Sequence, residues 1–122
     1  MVAVHVGPAL LLVRSSYRVG WHLPGGGIRR GEMPEAAARR ELAEEIGLVA
    51  SGLLPAGVAC GIWHGRRDRV HFFELRLVAL PKLRLDNREI IEARLTAPGE
   101  LNSIVLSETV AVYLGRSPTA RR

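Results

Sequence analysis

Residues 26–48 read GGIRRGEMPEAAARRELAEEIGL, and the spacing inside this stretch sets the fold and the chemistry. Pro34 suits the first turn of a helix. Ala38, Leu42 and Ile46 recur at four-residue intervals as an apolar stripe, and Gly47 ends the element. On such a helix Glu41 lies one turn before both Glu44 and Glu45, so three carboxylates share one flank. Like charges so placed repel. A divalent cation held by hard oxygen ligands is the simplest reason for crowding them.

Counted from Gly26, the stretch shows five residues, Glu32, seven residues, and then Arg40-Glu41-Leu42-Ala43-Glu44-Glu45-Ile46-Gly47-Leu48. That order resembles the Nudix box, G-x5-E-x7-R-E-U-x-E-E-x-G-U with U aliphatic, at every fixed position. A plain solvated acidic helix face has no need of glycines and an arginine at those offsets. The resemblance implies an α/β fold, the Nudix α/β/α sandwich, in which a mixed β-sheet is flanked by helices. It extends from Pro24-Gly25-Gly26 through the box to Pro98-Gly99-Glu100-Leu101 and a closing helix.

The activity so implied is Mg²⁺-dependent hydrolysis of the diphosphate linkage of a nucleoside diphosphate joined to another moiety, with Mn²⁺ able to substitute. Nucleoside triphosphates come first as substrates, with ADP-sugars and dinucleoside polyphosphates as alternatives. A non-catalytic nucleotide-sensing module on the same fold is a further alternative, against which the complete carboxylate set argues. By the same resemblance, Glu44 and Glu45 are the principal metal ligands and Glu41 is a further ligand or the general base. Gly26 offers its carbonyl, Glu32 braces the loop and reaches the metal through water, and Arg40 orients the carboxylates by ion pairing. Asp86 and Glu89, in Leu85-Asp86-Asn87-Arg88-Glu89, occupy the region where some members carry the base; a polar turn before a strand accounts for them equally well.

Substrate recognition has to come from outside the box. Trp21, beside the Pro24-Gly25-Gly26 loop, is the first candidate for stacking on a base, with His22, Trp63, His64, Phe72 and Phe73 behind it. Arg14, Arg18, Arg66, Arg67 and Arg69 are candidates for phosphates, and Glu89 for a further substrate contact. Ser107 stands near the start of the last helix, where the relatives that clean oxidised guanine nucleotides place an asparagine, which argues against that specialisation.

With 122 residues, 48% of them apolar and 24% charged, the chain can build one ordinary globular core, so residues 1–122 are expected to form a single domain. No apolar run reaches bilayer length and the N-terminus lacks a secretory pattern, which predicts a cytoplasmic protein without membrane contact. One cysteine, Cys60, cannot form an internal disulfide and reads as a small core residue in the run Gly57 to Ile62. The net charge of +5 comes from 16 arginines and one lysine against 12 acids, five of which lie between Glu32 and Glu45. The basic remainder would steer an anionic nucleotide; with no recognisable RNA motif, nucleic acid is not the expected partner.

Apolar periodicity predicts strands over residues 2–6, 9–14, 21–23, 48–54, 58–63, 70–80 and 89–95, and a closing helix over 107–114 with Ser107 as its N-cap. Residues 65–69 read as a solvated hairpin tip and 116–122 as a frayed tail. Relatives carry a longer N-terminal edge strand than this chain shows. Val2, Val4 and Val6 are therefore expected to form a short apolar edge, covered by a second copy in a homodimer or else blunted by Arg14, Arg18 or the C-terminal tail in a monomer.

Overall fold

The computed structural model describes residues 1–63 and 66–116, with Trp63, Arg66 and Arg116 described through their backbone alone. His64, Gly65 and the tail from residue 117 onward, all given roles above, lie outside the described residues. The elements in chain order are β1 (Val2–Val6), β2 (Ala9–Ser15), α1 (Pro34–Ile46), β3 (Leu54–Trp63), β4 (Arg66–Leu77), β5 (Ile90–Thr96), a 3₁₀ helix (Pro98–Ser103) and α2 (Glu108–Arg116). Five strands form one mixed sheet in the order β3-β4-β1-β2-β5. The β1–β2, β3–β4 and β2–β5 pairs are antiparallel, whereas β1 and β4 run parallel with Val2 opposite Phe73 and Val6 opposite Leu77.

Side chains alternate across a strand, and here both faces are covered. Val2, Val4, Leu11, Val13, Phe73 and Ile90 pack with Ala38, Leu42 and Ile46, the stripe of α1. Ala3, Leu10, Leu12 and Phe72 pack with Val110 and Tyr113 of α2 on the other face. Leu42 is fully buried, so Leu42→Ala removes packing worth about 2–5 kcal/mol. Gly47 ends α1 in the left-handed region (φ 70°), its N–H reaching the carbonyl of Ala43 at 3.0 Å. Ser107 caps α2, accepting the N–H of Val110 at 3.4 Å. No described helix is long and apolar enough to cross a membrane.

Several expectations are corrected by strand pairing. Residues 48–53 are not a strand: Leu48 and Leu53 are buried beneath α1, and the N–H of Leu53 goes to the Glu35 carboxylate at 3.0 Å instead of a neighbouring strand. β3 begins at Leu54, because an edge strand absorbs the Pro55–Gly57 break as a bulge. β4 runs from Arg66 to Leu77, so residues 66–69 lie in a strand and not at a tip. Trp21 and His22 make single bridges, to Leu106 and Val13, in place of a strand over 21–23.

Cys60 is exposed, since β3 is an outer strand and Cys60 lies on its open side. β1 is the middle strand of the five, with Val2 and Val4 fully buried. It presents no edge, and the ground for expecting a homodimer there is removed.

Candidate active site

The loop before α1 and one flank of α1 meet at a single arginine. Arg40 forms a two-pronged pair with Glu32, Nε to Oε2 at 2.8 Å and Nη2 to Oε1 at 2.9 Å. Its Nη2 also reaches the carbonyl of Gly27 at 3.0 Å, and its Nη1 lies 2.5 Å from Glu41 and 3.5 Å from Glu44. A planar fork with five donors can bind several oxygens at fixed angles, which a lysine cannot. Its hydrogen bonds to Glu32 hold that carboxyl down to about 2 and push the guanidinium further up. Glu32 closes the loop from its other side by accepting the N–H of Arg29 at 2.9 Å.

Glu45 stands apart. Its side chain is 4% exposed, and one carboxylate oxygen accepts the N–H of Gly25 at 3.0 Å. Burial pushes its carboxyl well above the usual range, and the neighbouring carboxylates of Glu41 and Glu89 push the same way. The loop must come very close to allow this. A Cβ on Gly26 would lie 2.5 Å from Oε2 of Glu41, so any side chain there displaces a carboxylate.

Arg40, Glu41, Glu44 and Glu45 line an open cleft of about 810 Å³, which also takes in Gly27, Asp86 and Glu89. Asp86 is occupied: its Oδ1 accepts the N–H groups of Arg88, Glu89 and Ile90 at 3.1, 3.2 and 2.9 Å, a turn that Asn87 completes with φ 58°. Glu89 is exposed on the cleft wall with no such duty.

The donor set suits a hard divalent cation. Glu41 and Glu45 meet as hydrogen-bonded neighbours that resist carrying two charges, and a cation between them would remove the conflict. Among the described residues, however, no three acidic or histidine side chains already converge on one point. Glu41 is drawn toward Arg40, and Glu44 is shared between Arg40 and the exposed Arg29 at 3.8 Å.

The structure thus brings Gly26, Glu32, Arg40, Glu41, Glu44, Glu45 and Glu89 together. It takes Trp21 and Arg14 elsewhere: Trp21 packs on the α2 core with Arg94 5.7 Å above its ring, and Arg14 pairs with Glu92 across β2 and β5 at 2.7 Å. Neither lines the acidic cleft or the groove beside it. His22, Phe72 and Phe73 are buried, so none can stack on a base. His22 spends Nδ1 on the carbonyl of Leu23 at 2.9 Å.

Arg18 and Arg69 do line the adjoining groove, together with Asp68, His71 and Thr109. Those last three carried no sequence signal, because β4 and α2 reach the loop only through tertiary packing. Tyr17, which lines a further groove with Arg18, could have been noticed as an aromatic in a polar turn.

A family model described as "NUDIX domain" matches residues 2–113. "Nudix hydrolase 25" of Arabidopsis thaliana is 33% identical over 87 residues, 55% of this chain and 50% of that protein. An "RNA pyrophosphohydrolase" of Rickettsia typhi is 31% identical over 102 residues, 70% of this chain and 63% of that protein. The chain therefore spans between half and two thirds of the length of these curated relatives. Among solved structures, a MutT NUDIX hydrolase from Burkholderia pseudomallei superposes with a TM-score of 0.83 at 20% identity, covering 94% of this chain and 92% of that one; at that identity the likeness speaks for the fold. With nearly every described element inside the matched span, the chain belongs to the NUDIX domain family.

Proposed function

We propose that this chain is a pyrophosphohydrolase that cleaves the diphosphate linkage of a nucleoside diphosphate joined to another moiety, with nucleoside triphosphates the first class to test. The observation that carries this reading is the buried, charge-frustrated Glu45 beside Glu41 and Glu44, on the wall of an open cleft. A family that includes proteins named for hydrolysing pyrophosphate links supports it.

Glu41, Glu44 and Glu45, with the carbonyl of Gly26, would hold Mg²⁺ or, in its place, Mn²⁺. Bound there, such an ion neutralises phosphate charge and makes a coordinated water more acidic. The chain does the rest. Arg40 sets the angles of Glu41 and Glu44 while Glu32 takes up its remaining donors, so the carboxylates stay poised without collapsing onto one another. Gly25 fixes Glu45 through its N–H, and the absence of a side chain at Gly26 leaves room for the Glu41 carboxylate. Glu89, exposed across the cleft, would accept a proton from an attacking water, with Glu41 the other carboxylate able to do so.

Release of phosphate, pyrophosphate or nucleoside monophosphate across a panel of nucleotides, with Mg²⁺ and with chelator, tests the reading. Metal-dependent turnover of nucleoside triphosphates is expected. Binding without turnover for every member of the panel would instead identify a sensing module.

A further inference from the structure

Three clefts lie in series on this surface. The acidic cleft shares Gly27 and Ile28 with a groove of about 430 Å³, and that groove shares Arg18 and Thr109 with a third of about 590 Å³. The third is built by the loop after β2 and the approach to α2, and its walls leave apolar surface in water. Tyr17 is 61% exposed, Val19 87% and Val105 66%. Side chains of this size left open around one concavity mark a binding surface more often than chance exposure.

The loop that carries them is tied down. Ser16 donates its N–H to the carbonyl of Glu89 at 2.9 Å and its hydroxyl to that of Arg88 at 3.0 Å, while Ser15 accepts the N–H of Arg18 at 3.2 Å. Across the far wall Trp21 donates its N–H to the carbonyl of Val105 at 2.8 Å and accepts the N–H of Ser107 at 2.9 Å. Arg18 lies 5.5 Å from the centroid of the Tyr17 ring and has no carboxylate partner among the described residues.

A solvent-exposed aromatic ring, with a guanidinium 5.5 Å from its centroid that no described carboxylate pairs, matches one chemistry well, a planar base with a phosphate attached. We propose that Tyr17 and Arg18 form a second nucleotide subsite, in which Tyr17 stacks on a base and Arg18 meets the phosphate that joins it to the rest of the substrate. This rests on the hydrolase reading above and extends it: the favoured substrates carry two nucleotide units. A 5′-triphosphorylated oligonucleotide and a dinucleoside polyphosphate share that chemistry. A mononucleoside triphosphate leaves the third groove empty.

The test compares a nucleoside triphosphate, a 5′-triphosphorylated dinucleotide and a dinucleoside tetraphosphate on wild type, Tyr17→Ala, Tyr17→Phe and Arg18→Ala. Tyr17 is an exposed loop residue, so folding should survive its substitution, and thermal melting checks each variant. Tyr17→Ala is expected to raise KM roughly ten-fold for at least one of the two longer substrates, as loss of one base stack would, while kcat/KM for the triphosphate stays within about two-fold. Tyr17→Phe keeps the stack and should behave as wild type; Arg18→Ala should raise KM for the same longer substrate. Whichever of the two responds identifies the source of the second unit. Equal losses on all three substrates, or no loss on any, would overturn the subsite. Should wild type turn over nothing, the hydrolase reading fails separately. Calorimetry with a 5′-monophosphorylated dinucleotide then decides: affinity weakened roughly ten-fold by Tyr17→Ala upholds the subsite, and unchanged affinity refutes it.

Discussion

The two faces of the sheet treat polar groups in opposite ways. Under α2, Nε2 of His5 meets the Tyr113 hydroxyl at 2.8 Å, and that hydroxyl donates to Glu74 at 2.5 Å, with Arg76 3.6 Å from the same carboxylate. Every member has a partner. Burial chiefly lowers the His5 imidazole and raises the Tyr113 phenol, so both stay neutral while the network ties α2 to β1 and β4. Where α1 meets the loop, by contrast, Glu45 is buried against Glu41 and Glu89 with a single N–H for relief. Satisfied polar groups fasten an element, whereas a buried charge kept in conflict points to a ligand that resolves it.

The sharpest contrast is expected at Glu45. Glu45→Gln removes a charge at nearly constant volume, so turnover with Mg²⁺ should fall about 100- to 1,000-fold. The metal-free protein should become more stable. The folded-state pKa of Glu45 lies above its ordinary value of 4.5, so its contribution to stability is present in acid and lost as pH rises from there. Melting in chelator across that range should show wild type weakening with pH and Glu45→Gln weakening less. Mutant activity within a few-fold of wild type at saturating metal would remove Glu45 from the proposed metal site.

Arg40→Lys keeps the charge and loses the fork that binds Glu32, Glu41 and Gly27 together. Turnover should drop about 10- to 100-fold, the range for groups that orient metal ligands, with only a small fall in melting temperature. A collapse of melting temperature in step with activity would assign Arg40 to the scaffold. Glu89→Gln should slow turnover about ten-fold without moving the melting temperature, because its side chain is exposed on the cleft wall. Asp86→Ala should do the reverse, losing about 1 kcal/mol of stability with the turn it supports and leaving the rate nearly unchanged.

On the opposite face, Tyr113→Phe deletes one hydroxyl from a satisfied network. Denaturant unfolding should report a loss of about 1–2 kcal/mol, with steady-state kinetics almost unaffected. A large kinetic effect there would mean that the two faces are coupled through the sheet.

Much of the candidate site was legible because it is local. Helical periodicity alone puts Glu41, Glu44 and Glu45 on one flank and Ala38, Leu42 and Ile46 on another, and a handful of residues separates Gly26 and Glu32 from the helix. Pro34 and Gly47 mark the ends of that helix for reasons of φ and missing donors that hold in any context. The misjudged residues depend on partners far away along the chain. Val2 and Val4 looked like an edge until β4, some seventy residues later, lay parallel beside them. Cys60 looked buried until β3 proved to be an outer strand.

Trp21 and Tyr17 make the same point from the side of recognition. Four residues apart in one loop, they have opposite fates, because the segment near Leu106 pairs with Trp21 and Arg94 covers it, while Tyr17 is left open beside α2. Short-range spacing carries the helix, its caps and the carboxylate cluster, since backbone geometry over a few turns depends on few neighbours. Which strand is central, which aromatic is covered and which glutamate looks across the cleft depend on pairings between distant segments, where burial of the whole core outweighs local preference.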